Sequence, residues 1–145
     1  MINIFNNADI AGGVTGTISN CVFVKNDRPL TIHHDNLGPT RISILNSTFV
    51  GNTLGSITKR DTRPSRQAEV YLQNNIFYEE ATALSSILQS PMRPNLAGFR
   101  FNHCLFSAPA CNASGDTLNC GVGNIFGQYP NFVDSSSIVE RRLKA

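Results

Sequence analysis

His33, His34 and Asp35 form the densest acid–base cluster in the chain. Imidazoles can take up or deliver a proton near neutral pH, and a carboxylate can orient one of them. A polysaccharide lyase or hydrolase would need such groups. A working site, however, gathers its groups from several elements, and these residues are consecutive. They run directly into the turn Leu37-Gly38-Pro39, so the simpler expectation is a solvated corner. The second cluster is basic. Lys59, Arg60, Arg63 and Arg66 place four of the twelve Lys and Arg within eight positions, with Asp61 among them. Arg forks suit carboxylate and phosphate, which makes this stretch the candidate site for an acidic polysaccharide. The plainer alternative is a charged insert that keeps an exposed loop in water.

Metal and cofactor chemistry find little footing. Asp116 and Asp134 are candidates for calcium, but that ion takes six or more oxygens and no carboxylate cluster gathers here. The chain has four cysteines and no C-x-x-C pair, so no zinc site is expected, and no cofactor either. Cys111 and Cys120 bracket the turn-rich stretch CNASGDTLNC, which a disulfide between them would close. Asn46-Ser47-Thr48 and Asn112-Ala113-Ser114 match the glycosylation pattern, although Asn46 belongs to a corner that a glycan would not reach. Thr15 and Thr17 hint at the flat Thr ladder of an ice-binding face, which the rest of the chain does not continue.

The elements that must position these groups are repeats. In RISILNSTFVGN, Phe49 has Asn46 three before it and Asn52 three after it. Phe23 has Asn20 and Asn26 in the same places. Phe77 has Asn74 before it and Glu80 after it. Phe106 is a weaker copy, with His103 before and Pro109 after. Upstream, Ile18, Ile44, Leu72 and Phe101 line up as a second column. The Phe-to-Phe spacings are 26, 28 and 29 residues. Self-similarity at such a period marks a stacked architecture whose turns vary while its strands stay in register. Ile, Val, Phe and Thr suit a pleated, half-buried surface, and one repeat cannot bury its inner face without neighbours above and below. Equivalent side chains about 4.8 Å apart then form columns. Phe rings stack, and Asn tolerates the left-handed backbone of a tight corner. Cys21 and Cys104 share a column three steps apart, too far for a disulfide, and read as small inward fillers.

At this period the 145 residues make one domain of about five coils. Residues 1–16 read as a partial first coil and 135–145 as a polar tail. Between Glu79 and Pro94 the chain makes its longest detour, with room for a helical turn. Leu54 to Ile57 reads as a short strand that ends in the KRDTRPSR loop. A formal net charge of +2 gives no general affinity for nucleic acid. No apolar run approaches the length of a membrane span, and Met1 leads into INIFNNAD, which lacks the basic start and apolar core of a signal peptide.

Units such as TISNCVF and ISILNSTFVGN resemble the repeats of right-handed parallel β-helix proteins of bacterial surfaces and secretions, the pectate-lyase-like group. NIFGQYPNFVD resembles that group's closing segment, in which Asp-Pro precedes Leu-Phe-Val-Asp. Here Tyr129 stands where Asp is common and Asn131 where Leu is common. The group often continues from Arg-Leu-Lys-Ala into Gly-Ser-Pro-Ala-Ile-Asp, whereas this chain ends at Arg142-Leu143-Lys144-Ala145. The resemblance covers about Val14 to Ala145. It implies an all-β, right-handed parallel β-helix, here a C-terminal fragment cut at both ends. It also implies an exported parent protein, extracellular or at the cell surface. The functional expectation is a non-catalytic scaffold, adhesin-like or glycan-binding module. The alternative is a polysaccharide-active enzyme of the lyase, hydrolase or epimerase type. Open strand edges at the ends would favour self-association.

Overall fold

The computed structural model describes residues 1–6, 12–35, 38–61, 68–79, 83–90, 98–111 and 119–130, with the side chains of 119 and 120 outside that description. The order of elements is β1 (Ile2–Asn6), β2 (Val14–Ser19), β3 (Val22–Val24), β4 (Leu30–His34), β5 (Thr40–Leu45), β6 (Thr48–Val50), β7 (Ile57–Asp61), β8 (Glu69–Gln73) and β9 (Ile76–Tyr78). After them come α1 (Leu84–Ile87), β10 (Leu88–Gln89), β11 (Phe99–Asn102), β12 (Leu105–Phe106), β13 (Asn119–Cys120) and β14 (Ile125–Phe126). The described residues are all-β apart from one short helix.

Every strand pairing among the described residues is parallel. The strands form three sheets: β1-β4-β7-β10, then β13-β11-β8-β5-β2, then β14-β12-β9-β6-β3. From β1 to β9 the chain visits the sheets in a fixed rotation and returns to each after a full circuit. This arrangement is compatible with a parallel β-helix-like solenoid. The core lies inside the circuit, because alternate residues of each strand point inward.

The expected columns are present. Phe23, Phe49, Phe77 and Phe106 stack with ring centroids 4.7, 4.8 and 4.9 Å apart and nearly parallel planes. Phe126 extends the stack at 5.3 Å, a member that the N-x-x-F spacing does not reveal because Gly123 stands in its Asn place. Ile18, Ile44, Leu72 and Phe101 pair in register as the second column. Asn20, Asn46, Asn74 and His103 all take left-handed backbone, with φ between 48° and 55°. The Asn74 amide donates to the Asn46 Oδ1 at 3.2 Å. Between the Asn and Phe columns run Cys21, Ser47, Asn75, Cys104 and Asn124. Here the amide of one residue donates to the side chain of the next: Ser47 N to Asn75 Oδ1 at 2.8 Å, and Cys104 N to Asn124 Oδ1 at 2.9 Å. Cys21 and Cys104 are both free.

Two sequence expectations need correction. The Asn26–Asn52 column continues with Glu79, not Glu80: Asn26 N donates to Asn52 Oδ1, and Asn52 N and Nδ2 donate to the Glu79 carboxylate. The left-handed residues Lys25 and Gly51 precede the first two members, whereas Glu79 follows Tyr78 directly, so this corner is one residue shorter. The second correction concerns the strand expected at Leu54–Ile57. It is β7 instead, and it carries on through Lys59, Arg60 and Asp61. Its register sets Ile57 beside Leu30, Lys59 beside Ile32 and Asp61 beside His34. Lys59 and Asp61 therefore point inward.

Candidate functional site

The outward residues of the second sheet form the most chemically varied exposed face among the described residues. Thr15, Thr17 and Ser19 come from β2, Arg41 and Ser43 from β5, Glu69, Tyr71 and Gln73 from β8, and Arg100 and Asn102 from β11. The alternation that buries Ile42, Ile44, Val70, Leu72, Phe99 and Phe101 forces these neighbours out. Register gathers them into rows. Ser43, Tyr71 and Arg100 form one column, and Arg41 lies beside Glu69 in the next.

Arg41 Nε donates to Glu69 Oε2 at 2.8 Å, and the Tyr71 hydroxyl donates to the same oxygen at 3.1 Å. The hydrogen bond from Arg41 is the main reason the Glu69 carboxyl sits below its ordinary value, with the charges of Arg41 and Arg100 adding to it. Arg41 is held correspondingly upward by Glu69. Tyr71 is 36% exposed, so its ring presents a flat apolar surface between a guanidinium and a carboxylate. Such a patch can stack on the C–H face of a sugar while polar neighbours bond its hydroxyl or carboxylate groups.

The residues singled out from the sequence are placed differently. His33 and His34 occupy successive positions of β4 and face opposite sides. His34 is buried, with Nδ1 2.9 Å from Thr40 Oγ1. His33 is half-buried on the outer side of the first sheet, stacked on Phe5 at 4.5 Å. Burial, and secondarily the charge of Arg60, lowers the His33 pKa. The two imidazoles therefore do not converge on one substrate. Asp35 follows β4 at a half-buried position.

Lys59 is not available to a ligand. It is fully buried, with its Nζ 2.8 Å from Asp61 Oδ2, donating to the Ala68 carbonyl at 3.3 Å and lying 5.6 Å from the centre of the Phe99 ring. Asp61 Oδ1 accepts from Ala68 N at 3.0 Å. Gly98, at φ 91°, makes room for this pair, since a Cβ there would meet Lys59 Nζ at 2.8 Å and the Ala68 carbonyl oxygen at 2.4 Å. Arg60 is half-buried beside His33. Arg63 and Arg66 lie outside the described residues, as do Asp116, Asp134 and Asn112. Cys111 is disulfide-bonded.

Sequence reasoning missed Arg41, Glu69, Tyr71 and Arg100. Their signal was the period-2 alternation of RISIL, EVYLQ and FRFN, laid one above another by the Phe register. Among the described residues no three His, Cys, Asp or Glu side chains gather to hold a metal ion. No helix among them is long and apolar enough to cross a membrane. Comparison with protein-family models, with curated proteins and with solved structures finds no match.

Proposed function

We propose that this chain is a right-handed parallel β-helix of about five coils that binds an acidic glycan on the outer face of its second sheet, without turnover. The observation that carries this reading is the exposed Tyr71 ring with Arg100 beside it in register and the Arg41–Glu69 pair on its other flank. A glycan lying along the stack would meet a new strand about every 4.8 Å, close to the rise of one sugar unit. Its carboxylate would reach Arg100, and its ring would lie on Tyr71. Glu69 is the one carboxylate among the outward residues of β2, β5, β8 and β11. Hydrolysis by the usual route takes two, one of them protonated, and Glu69 is held ionised by Arg41. That supports binding over catalysis. In this reading the parent protein is exported and displays the solenoid outside the cell, as the resemblance implies.

The test is a glycan array at low salt, with a Tyr71→Ala/Arg100→Ala variant and an Arg63→Ala/Arg66→Ala variant beside the unaltered chain. Retention on uronate-containing glycans should fall about tenfold or more in the first variant, and salt should weaken what remains. Equal binding by the first variant and the unaltered chain removes this face from consideration. If only the second variant loses binding, the site belongs to the basic stretch. Release of shortened or unsaturated sugars would favour the enzyme reading instead.

A further inference from the structure

The outer face of the first sheet brings together two residues that binding on the second sheet leaves unused. His33 on β4 and Arg60 on β7 are partners in register, one strand step of about 4.8 Å apart. Strand alternation turns both outward, while Lys59 and Asp61 on either side of Arg60 point in. The His33 ring lies with one face on Phe5, at 4.5 Å and 12°. Stacking uses the face of the imidazole and leaves its two nitrogens at the edge, where no hydrogen-bond partner reaches them among the described residues. Arg60 is half-buried. Among the described residues no carboxylate and no hydrogen bond reaches its guanidinium, and its Nε is fully covered without a partner. Thr58, two residues back on the same face, is buried with its hydroxyl unpartnered too. A native fold rarely leaves such groups unpaired, and a cation is seldom withdrawn from water without an anion beside it.

We propose that this face holds a phosphate group between the Arg60 guanidinium and the His33 imidazole, and that His33 takes up a proton as the group binds. The site lies on a different sheet from Tyr71 and Arg100 and is independent of them. A guanidinium presents paired donors that match phosphate oxygens. Two cationic positions one strand step apart suit a dianion, whereas a carboxylate would be neutralised by Arg60 alone and leave the imidazole uncharged. Before the anion binds, burial and secondarily the charge of Arg60 hold His33 below its ordinary 6.5. Arg60 is the one charged group facing His33 from β7, and β1 offers only Asn3 and Phe5 on that side. Gln89 on β10 is uncharged, and Asp35, just past β4, takes no part in the shift. A bound dianion reverses the sign of the field at the imidazole and draws a proton onto it. Anion binding and proton uptake therefore favour each other by the same factor.

The test is an NMR titration of the three histidine rings of the whole chain against pH, with His33→Gln to assign the His33 signal. The probes are inorganic sulfate, a dianion at every pH used, then inorganic phosphate, glucose 1-phosphate and galacturonate. Saturating sulfate should raise the His33 midpoint by about one pH unit or more, and galacturonate should move it far less. Both phosphates should shift the His33 signal at constant pH. Tighter binding of glucose 1-phosphate than of inorganic phosphate would assign the site to a phosphorylated sugar, and equal binding to the free ion. Arg60→Gln, checked for folding by circular dichroism, should abolish the effect, and Tyr71→Ala/Arg100→Ala should keep it. A His33 midpoint that sulfate leaves in place, or that galacturonate raises as far as sulfate does, would overturn the proposal. So would a shift that survives in Arg60→Gln or vanishes in Tyr71→Ala/Arg100→Ala. The titration of the unaltered chain decides even where a variant fails to fold.

Discussion

Glu79 is 5% exposed, and its carboxylate accepts from Asn52 N, Asn52 Nδ2 and the Ser56 hydroxyl. Its own amide and carbonyl engage the Ser107 hydroxyl. No salt bridge reaches it among the described residues. Burial therefore dominates and raises its pKa above the ordinary 4.5, against the pull of the Ser56 and Asn52 hydrogen bonds. A group whose folded pKa is raised stabilises the fold below its unfolded pKa and loses that contribution as pH rises through the folded value. Stability should therefore decline as pH climbs from about 4.5 through the titration of Glu79. Glu69 acts in the opposite sense and only below its ordinary range, since its pKa is lowered. Glu79→Gln, which keeps an acceptor for Asn52, should gain about 1 kcal/mol at neutral pH and flatten the slope above pH 4.5. Urea unfolding of both proteins at several pH values measures this, and an unchanged slope would count against it. Lys59 and Asp61 show why single residues were the least legible part of the sequence. A run of Lys, Arg and Asp reads as a solvated loop because charges are rarely buried unless paired. Here they are paired, and strand alternation puts one of each sign inside. The pattern was visible only on laying ITKRD against LTIHH, where Lys59 falls in the place of Ile32.

The corners between the second and third sheets were legible because each circuit solves the same problem in the same way. The chain must turn within one residue, and Asn20, Asn46, Asn74 and His103 do so at positive φ. Asn is among the few residues that enter this region at low cost. Asn46→Gly should therefore leave stability nearly unchanged, losing mainly the amide bond to Asn74. Asn46→Val, branched at Cβ, should cost about 1–3 kcal/mol. Thermal unfolding of the pair separates backbone strain from the side-chain ladder. Equal losses would mean that the ladder, not the left-handed turn, selects Asn. The corner that follows the third sheet was less legible. Lys25 and Gly51 take positive φ there, but the chain then shortens by one residue at Tyr78–Glu79. Counting from Phe at a fixed interval lands on Glu80, and nothing local in the sequence marks the deletion. The backbone bonds do mark it, since Gly51 N donates to the Tyr78 carbonyl and Glu79 N to the Ser107 hydroxyl.

Across the whole molecule the Phe column behaves as a one-dimensional stack. Each ring touches the rings one circuit above and below, so its contribution depends on how many neighbours it has. Phe77 is fully buried between Phe49 at 4.8 Å and Phe106 at 4.9 Å. Among the described residues Phe23 has one ring neighbour, Phe49 at 4.7 Å, and it is only partly buried. Truncating Phe77 leaves a cavity walled by two rings and by the inward side chains of the second sheet, and should cost about 3–5 kcal/mol. Truncating Phe23 removes one stacking contact and creates a void open to water, so it should cost about half as much or less. Neighbouring circuits are joined by every sheet, and loss of a central ring weakens the stack on both sides. Phe77→Ala should therefore still unfold in one transition, displaced to lower denaturant. Phe23→Ala should leave the main transition almost in place while amides of β2 and β3 exchange faster. Denaturant curves with hydrogen exchange on the two variants give both readings. Equal destabilisation at the two positions would show that stability is shared along the whole column, not set by each ring's nearest neighbours.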